Sequence, residues 1–212
     1  SSTSTRASTA SSSNTDGIKL TATYKLEGAD FGPSTYKIYE SNSCLPNERK
    51  NETPYLFVWL HGADMGDISP SDLQNMQRHL DKRTFFMVPL NPKPSEDGLR
   101  FNWGVAYTKA QNKNSLGFVF GKLHQEYLEA LTAAISDRAC EVGAERVMVS
   151  GYSMGGFGAF QLGCFAPEAF DAVVSVAGYG LGTKEASDQG YGAPQPLSSQ
   201  ILEEFLEKQV SR

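Results

Sequence analysis

The chain has 212 residues, of which 40% are hydrophobic, and this is enough for one domain with a sizeable core. Its formal net charge of −5 argues against a nucleic-acid surface, because binding to phosphates needs clustered positive charge. No apolar run approaches the ~20 residues that a membrane-spanning helix needs, and the three cysteines are not spaced as metal ligands.

The first part of the chain differs in composition from the rest. Ten of the first thirteen residues are serine or threonine, and such a segment cannot bury apolar surface. We therefore predict a disordered tail or linker over residues 1–16 and one folded domain over residues 17–212. Within that domain, Cys140 and Cys164 are expected in the core, because a free cysteine packs like a small apolar residue.

Six strands are predicted from the apolar pattern. Two of them, 18–26 and 34–41, alternate apolar and polar residues, as half-buried antiparallel strands do. The others are apolar almost throughout, as is typical of strands covered on both faces. These buried strands span residues 54–60, 84–90, 145–151 and 170–176.

The first predicted helix has a clear beginning. Ser69 fits an N-cap, with Pro70 at the first helical position and Asp72 in the first turn. Its apolar residues recur at helical spacing and predict a buried stripe: Leu73, Met76 and Leu80.

Three more helices are predicted. A long one covers about residues 118–141, with Gly143 as its end. Another covers residues 153–165, and a last, amphipathic one covers about 199–210. The apolar face of the long helix is predicted to contain Leu123, Tyr127, Leu131 and Ala134.

Two alternating strands followed by strand–helix repeats indicate an α/β domain with a mainly parallel sheet. In such sheets, reactive groups gather at the carboxyl ends of the strands. Two stretches with suggestive chemistry, 61–66 and 151–156, lie at such ends. The candidate functional residues are therefore in these two stretches.

The stretch Gly151-Tyr152-Ser153-Met154-Gly155 joins a buried strand to a helix. A serine on such a tight turn has a strained backbone that projects its hydroxyl out of the sheet. Neighbouring backbones then come so close that positions 151 and 155 must be small. Met154 N–H lies at the helix N-terminus, where the dipole favours negative charge. We predict that Ser153 is a nucleophile and that Met154 N–H stabilises the oxyanion.

A phosphate-binding turn is the alternative interpretation of this glycine-rich stretch. The sequence has neither the Gly-x-Gly-x-x-Gly pattern nor the Gly-Lys-Ser/Thr ending that such turns use. The nucleophile is therefore the preferred interpretation.

The stretch LHGADMGD, residues 60–67, follows another buried strand and has room for a second oxyanion donor. Gly62 permits a turn there, and Ala63 N–H is the preferred donor, with Asp64 N–H as the alternative. His61 is expected to orient this loop through hydrogen bonds of its ring rather than to act as the catalytic base.

These stretches resemble the α/β-hydrolase superfamily, and within it the branch of polyhydroxybutyrate depolymerase-like, feruloyl esterase-like and S-formylglutathione hydrolase-like esterases. The residues that carry the likeness are LFVWLHG, ERVMVSGYSMGGFGAF and PEAFDAVVSVAG. The resemblance implies a three-layer sandwich with antiparallel N-terminal strands on a mainly parallel sheet. It also implies attack by Ser153 on a small-molecule or polymer-linked ester, an acyl-enzyme, release by water, and no cofactor.

A serine needs a base, and in this family the chain order is serine, acid, histidine. The three histidines, His61, His79 and His124, all precede Ser153. We expect His79 on the surface and His124 packed within the long helix. Among the acids after Ser153, Asp171 opens a strand at its amino end. The others are Asp188, in a glycine-rich segment, and Glu203 and Glu204, on the polar side of the last helix.

The family pattern has two more strands after the last helix found here, the first followed by the acid and the second by the histidine. We therefore expect a C-terminally incomplete hydrolase domain that lacks the last two strands and is nearly inactive by itself. Trp103 and Tyr152 are candidates for the wall of an acyl pocket, or they pack against loops. A peptidase or acyltransferase on the same scaffold, and a non-catalytic binding protein, are the alternatives.

Overall fold

The computed structural model describes residues 17–26, 34–41, 52–62, 67–80, 82–90, 100–101, 103, 105–109, 118–123 and 125–178. The predicted tail over residues 1–16 and the predicted helix over 199–210 lie outside these residues. None of the described helices is long and apolar enough to cross a membrane.

The described elements follow one another in an order that begins with strands and then alternates strands with helices. In chain order they are β1 (Lys19–Leu26), β2 (Ser34–Glu40), β3 (Tyr55–Leu60), α1 (Pro70–Gln77), β4 (Thr84–Leu90), β5 (Arg100–Phe101), β6 (Val105–Lys109), β7 (Phe118–Leu123), α2 (Gln125–Val142), β8 (Arg146–Tyr152), α3 (Met154–Phe165) and β9 (Ala172–Val176). A short 3₁₀ helix, Pro167–Ala169, precedes β9.

Six of the strands form one sheet in the order β1-β2-β4-β3-β8-β9. β1 and β2, and β2 and β4, pair antiparallel, while β4, β3, β8 and β9 run parallel. The predicted mainly parallel sheet with antiparallel N-terminal strands is therefore confirmed. Leu60, the last residue of β3, is the register partner of Gly151 in β8, so the segments that follow these strands start side by side.

The centre of the sheet is covered on both faces, which agrees with the predicted three layers. The predicted burial of the strand over 170–176 is wrong, because Val173, Val174 and Val176 of β9 are exposed. On one face, which we call the major face, Leu56, Val58 and Leu60 are fully buried in a cluster with residues of α2 and α3. On the other, the minor face, Phe57 and Trp59 are partly buried and pack against a smaller cluster that includes α1. The alternation of side chains along β3 thus separates two cores.

The first helix agrees with its sequence signals. The Ser69 hydroxyl accepts a hydrogen bond of 3.2 Å from Asp72 N–H, as an N-cap should. Leu73 is fully buried, and Met76 and Leu80 are partly buried against the same cluster. The end of α2 also agrees, because Gly143 has a left-handed φ of 64°.

The predicted start of the long helix is wrong. Phe118–Leu123 is a strand, β7, which pairs with β6 in a small antiparallel sheet of order β5-β6-β7, and α2 begins only at Gln125. Phenylalanine and valine favour strands, and Gly121 is a poor helix former. Leu123 therefore does not belong to the helical stripe, whereas Tyr127, Leu131 and Ala134 are buried as predicted.

Of the two cysteines predicted in the core, one is buried and the other is not. Cys164 is buried in α3, but Cys140 is exposed. Cys140 lies on the same side of α2 as Ala133 and Asp137, which are exposed too, because residues three and four apart share one helix face.

Candidate active site

Ser153 occupies the tight turn between β8 and α3 that the sequence predicted. Its backbone has φ 54° and ψ −113°, a conformation that costs energy for any residue with a side chain. Two hydrogen bonds hold it there: Ser153 N–H donates to Val176 O at 2.9 Å, and Phe157 N–H donates to Ser153 O at 3.1 Å. The serine side chain makes no capping hydrogen bond to the helix, so it is not an ordinary N-cap.

The two glycines of the motif are required by close backbone approach. A Cβ at position 155 would lie 1.9 Å from Leu60 O, and one at position 151 would lie 2.3 Å from Gly155 O. Real Cβ atoms do not approach a carbonyl oxygen that closely. The end of β3, the end of β8 and the first turn of α3 therefore meet backbone against backbone at this point.

The end of β9 also supports the turn, although the sequence did not indicate it. Val176 O accepts the Ser153 N–H. A Cβ at Gly156 would lie 2.9 Å from Gly178 Cα, and one at Gly178 would lie 2.1 Å from Ser175 Oγ. In the sequence, the small residues Ala177 and Gly178 after β9 suggest close packing. They do not reveal that the packing partner is the turn at Ser153.

His61 and Gly62 begin the loop after β3, and both are buried. His61 Nδ1–H donates to Gly62 O at 2.7 Å, in keeping with the predicted role of orienting the loop. Burial lowers the pKa of the His61 imidazole, although the hydrogen bond to Gly62 and the charge of Asp67 oppose this. Burial therefore favours the neutral form of the ring.

Of the two predicted oxyanion donors, Met154 N–H and Ala63 N–H, only the first belongs to the described residues. Met154 is the first residue of α3, directly after Ser153, so its N–H lies at the helix N-terminus, as predicted. Ala63, and the alternative donor Asp64, lie outside the described residues. The described part of their loop, His61 and Gly62, starts beside the first turn of α3, since a Cβ at Gly155 would also lie 2.8 Å from His61 O.

The two aromatic candidates for a substrate pocket differ in exposure. Tyr152, next to the nucleophile, is 47% exposed, and its role in a pocket stays a prediction. Trp103 has no exposed surface at all, and its Nε1–H donates to His61 O at 3.1 Å. For Trp103 the structure therefore favours the packing alternative over the pocket wall.

The other histidines and acids were considered for a catalytic base and acid. His79 is exposed after α1, as expected, and Asp171 is at the amino end of β9. Asp171 accepts hydrogen bonds from Val147 N–H and Arg146, and these bonds lower the pKa of its carboxyl group. His124, Asp188, Glu203 and Glu204 lie outside the described residues. Within the described ranges, no three His, Cys, Asp or Glu side chains are grouped as metal ligands.

Comparisons with known proteins find likeness at the level of structure. No protein-family model and no curated protein sequence matches the chain. The chain is similar to an S-formylglutathione hydrolase from Agrobacterium tumefaciens, with 15% identity and a TM-score of 0.55 over 93% of this chain and 74% of the other. It is also similar to a ferulic acid esterase, with 14% identity and a TM-score of 0.52 over 92% and 72% of the two chains.

A third similar structure is a brefeldin A esterase, a bacterial homologue of human hormone-sensitive lipase. It has 13% identity and a TM-score of 0.52 over 92% of this chain. This chain spans 53% of the length of that esterase. At such low identities the likeness establishes a common fold and leaves the activity to be argued from the site.

Proposed function

We propose that this chain, whose fold is that of the α/β-hydrolases, is a serine hydrolase of carboxylic esters with Ser153 as its nucleophile. The observation that carries the proposal is the backbone of Ser153, held at φ 54° and ψ −113° between a parallel strand and a helix. Strain of this kind persists only where the surroundings impose it, and it is typical of functional sites. A serine that only capped α3 would not need it.

In the proposed reaction, Ser153 Oγ forms a bond to the ester carbonyl carbon, and the hydroxyl proton passes to a base. The carbonyl oxygen becomes negative and accepts hydrogen bonds from Met154 N–H and Ala63 N–H. The bond to the alcohol oxygen then breaks, and the base returns the proton to the leaving alcohol. Water repeats the sequence on the acyl-enzyme and releases the carboxylic acid.

The base and the acid are proposed to lie beyond Arg212, as the family resemblance implies. The sequence contains no histidine after Ser153, and His61 is buried with its Nδ1 bonded to its own loop. Loss of the histidine from a serine triad lowers turnover by on the order of 10⁶. The 212-residue chain alone is therefore expected to react very slowly.

Labelling with a fluorophosphonate tests this proposal. The reagent is applied to the 212-residue chain and to the longer chain encoded by the complete reading frame, each also as Ser153→Ala. Ser136→Ala serves as a matched control, because Ser136 is exposed on α2, away from the turn. We expect strong labelling of the longer chain that Ser153→Ala abolishes and Ser136→Ala leaves unchanged. Equal labelling of the Ser153→Ala chain would contradict the proposal.

The absence of a histidine after Ser153 favours a second candidate, a non-catalytic protein that uses the same scaffold for binding. The reading frame distinguishes the two. A stop codon directly after Arg212 would favour the binding protein. A frame that continues into a strand followed by an aspartate, and then to a histidine, would favour the hydrolase.

A further inference from the structure

Trp103 is a large side chain near the proposed site with an unusual backbone. It is fully buried in the cluster on the major face of the sheet, yet its φ is 46°, in the left-handed region that bulky residues rarely adopt. A conformation of this cost is kept only where contacts hold it. The contacts of Trp103 therefore indicate what the strain achieves.

Trp103 contacts the loop after β3 through two different interactions. Its Nε1–H donates to His61 O at 3.1 Å. Its ring also meets the His61 ring edge to face, with centroids 4.9 Å apart and planes at 66°. The indole thus holds both the backbone and the side chain of the residue that begins this loop.

On its other side Trp103 packs against α3. A Cβ at Gly158 would lie 2.5 Å from both Cβ and Cγ of Trp103, so the indole fits only because position 158 is glycine. Gly158 comes one turn after Met154. Gly155, in the first turn of the same helix, is also close to His61 O, since a Cβ at that position would lie 2.8 Å from this oxygen. One carbonyl, His61 O, therefore contacts both the first turn of α3 and the indole that rests on the second turn.

We infer that Trp103 is a positioning residue that fixes His61 and Gly62, which directly precede one proposed oxyanion donor in the chain, against the helix that carries the other donor. This inference rests on the proposed function. Trp103 has no exposed surface, so it acts through His61 and Gly62 rather than by touching substrate. Two donors stabilise one oxyanion only if both lie about 3 Å from the same point, and a shift of about 1 Å can cost 10²-fold in rate.

The first test compares substitutions of Trp103 and Trp59, both made in the longer chain that is encoded by the complete reading frame. Trp103→Phe keeps a ring and removes the N–H donor, and Trp59→Phe makes the same change on the minor face. We expect Trp103→Phe to lower the rate constant of Ser153 labelling and the kcat for an aryl ester about 10- to 100-fold, with little change in KM. Trp59→Phe should stay within about twofold of the unchanged protein.

The second test approaches the same contact from α3. Gly158→Ala pushes against Trp103, whereas Gly163→Ala introduces milder crowding in the same helix, 2.8 Å from Cγ2 of the partly exposed Val173. Both changes strain the helix, but only Gly158→Ala is expected to slow Ser153 labelling beyond what the loss of folded protein explains. The double change Trp103→Phe, Gly158→Ala should slow it no more than the stronger single change, because both act through one contact.

A third measurement does not depend on activity. Amide hydrogen exchange at Gly62 should be at least about tenfold faster in Trp103→Phe, while exchange at Met87 in β4 stays the same. If Ser153→Ala keeps its labelling but Gly62 exchange responds, the proposed function fails and the positioning contact remains. If Trp103→Phe folds and shows unchanged labelling and unchanged Gly62 exchange, the inference about Trp103 is wrong.

Discussion

The turn at Ser153 and the outer strand β9 lie side by side and are built in opposite ways. At the turn, backbones touch directly, and a Cβ at Gly155 would lie 1.9 Å from Leu60 O. On β9, in contrast, Val174 is 51% and Val176 43% exposed, although the backbone of Val176 holds Ser153 N–H. The geometry of the proposed site therefore depends on backbone contacts, to which the exposed side chains of β9 contribute little.

The same contrast extends across the sheet. Register pairs Val58 with Val149 on the major face, where both are fully buried. It pairs Trp59 with Ser150, and Ser150 with Val174, on the minor face. Among the described helices, α2 and α3 contribute to the major core and α1 to the minor one. Burial on the minor face is uneven along the sheet, because Phe86 and Val88 of β4 are fully buried there whereas Val174 of β9 is exposed. Stability should accordingly be more sensitive to changes at the centre of the sheet than to changes on β9.

The largest effect is expected for Gly155→Ala. The new methyl group would meet the backbone of Leu60, which cannot move without displacing β3, so the free energy of unfolding should fall by about 3 kcal/mol or more. Gly143→Ala is the control, since no atom lies within 4 Å of its Cβ position and only the left-handed φ is strained. That change should cost about 1 to 2 kcal/mol.

Urea unfolding followed by circular dichroism measures both variants. Equal losses of stability would mean that the backbone contact at the turn is no more restrictive than an isolated left-handed residue, and the contrast between the turn and the rest of the molecule would then fail. A Gly155→Ala chain that does not fold at all, beside a folded Gly143→Ala chain, agrees with the expectation.

A pair of valines measures how far the centre of the sheet and β9 differ. Val149→Thr places a hydroxyl in the fully buried major face, where it should cost about 1 to 3 kcal/mol. Val174→Thr makes the same change on the minor face, where half of the side chain is exposed, and it should cost less than about 0.5 kcal/mol. Thermal unfolding of the 212-residue chain gives both values, and similar costs would argue against the unequal burial of the central strand β8 and β9.

The turn could be predicted from the sequence because its requirement is local. Only small residues fit two positions before and after a serine on such a turn, and Gly151 and Gly155 are both within the motif. The strands of the six-stranded sheet were likewise predictable from their apolar pattern, and the start of α1 from Ser69 and Pro70, which act within one turn. The strands β5 and β6 were not predicted. Local patterns were enough for the turn and for the start of α1, because the physical cause there is local.

The placement of Cys140 in the core missed a local feature, the exposed face of α2. The other errors concern contacts between distant residues. Phe118–Leu123 was predicted as helix although its residues favour a strand, because its pairing partner β6 was not predicted either. Trp103 was left between a pocket wall and a packed residue, since its partners His61 and Gly158 are far away in sequence. The support of Ser153 by Val176 O was missed for the same reason. The catalytic base and acid stay predictions from the family resemblance.

The smallest effect is expected on the pH dependence of the free energy of unfolding. It is measured by comparing the buried His61, beside the turn, with the exposed His79. Burial lowers the pKa of His61, so below about pH 6.5 the unfolded chain takes up a proton that the folded chain does not. The free energy of unfolding should therefore fall through this residue as the pH is lowered from 7 to 5.5. His61→Gln should remove that part of the pH dependence, while His79→Gln, at an exposed position, should retain it. Unfolding curves at several pH values measure the difference, and identical pH profiles for the two variants would mean that His61 is not held neutral by the loop that begins the proposed oxyanion site.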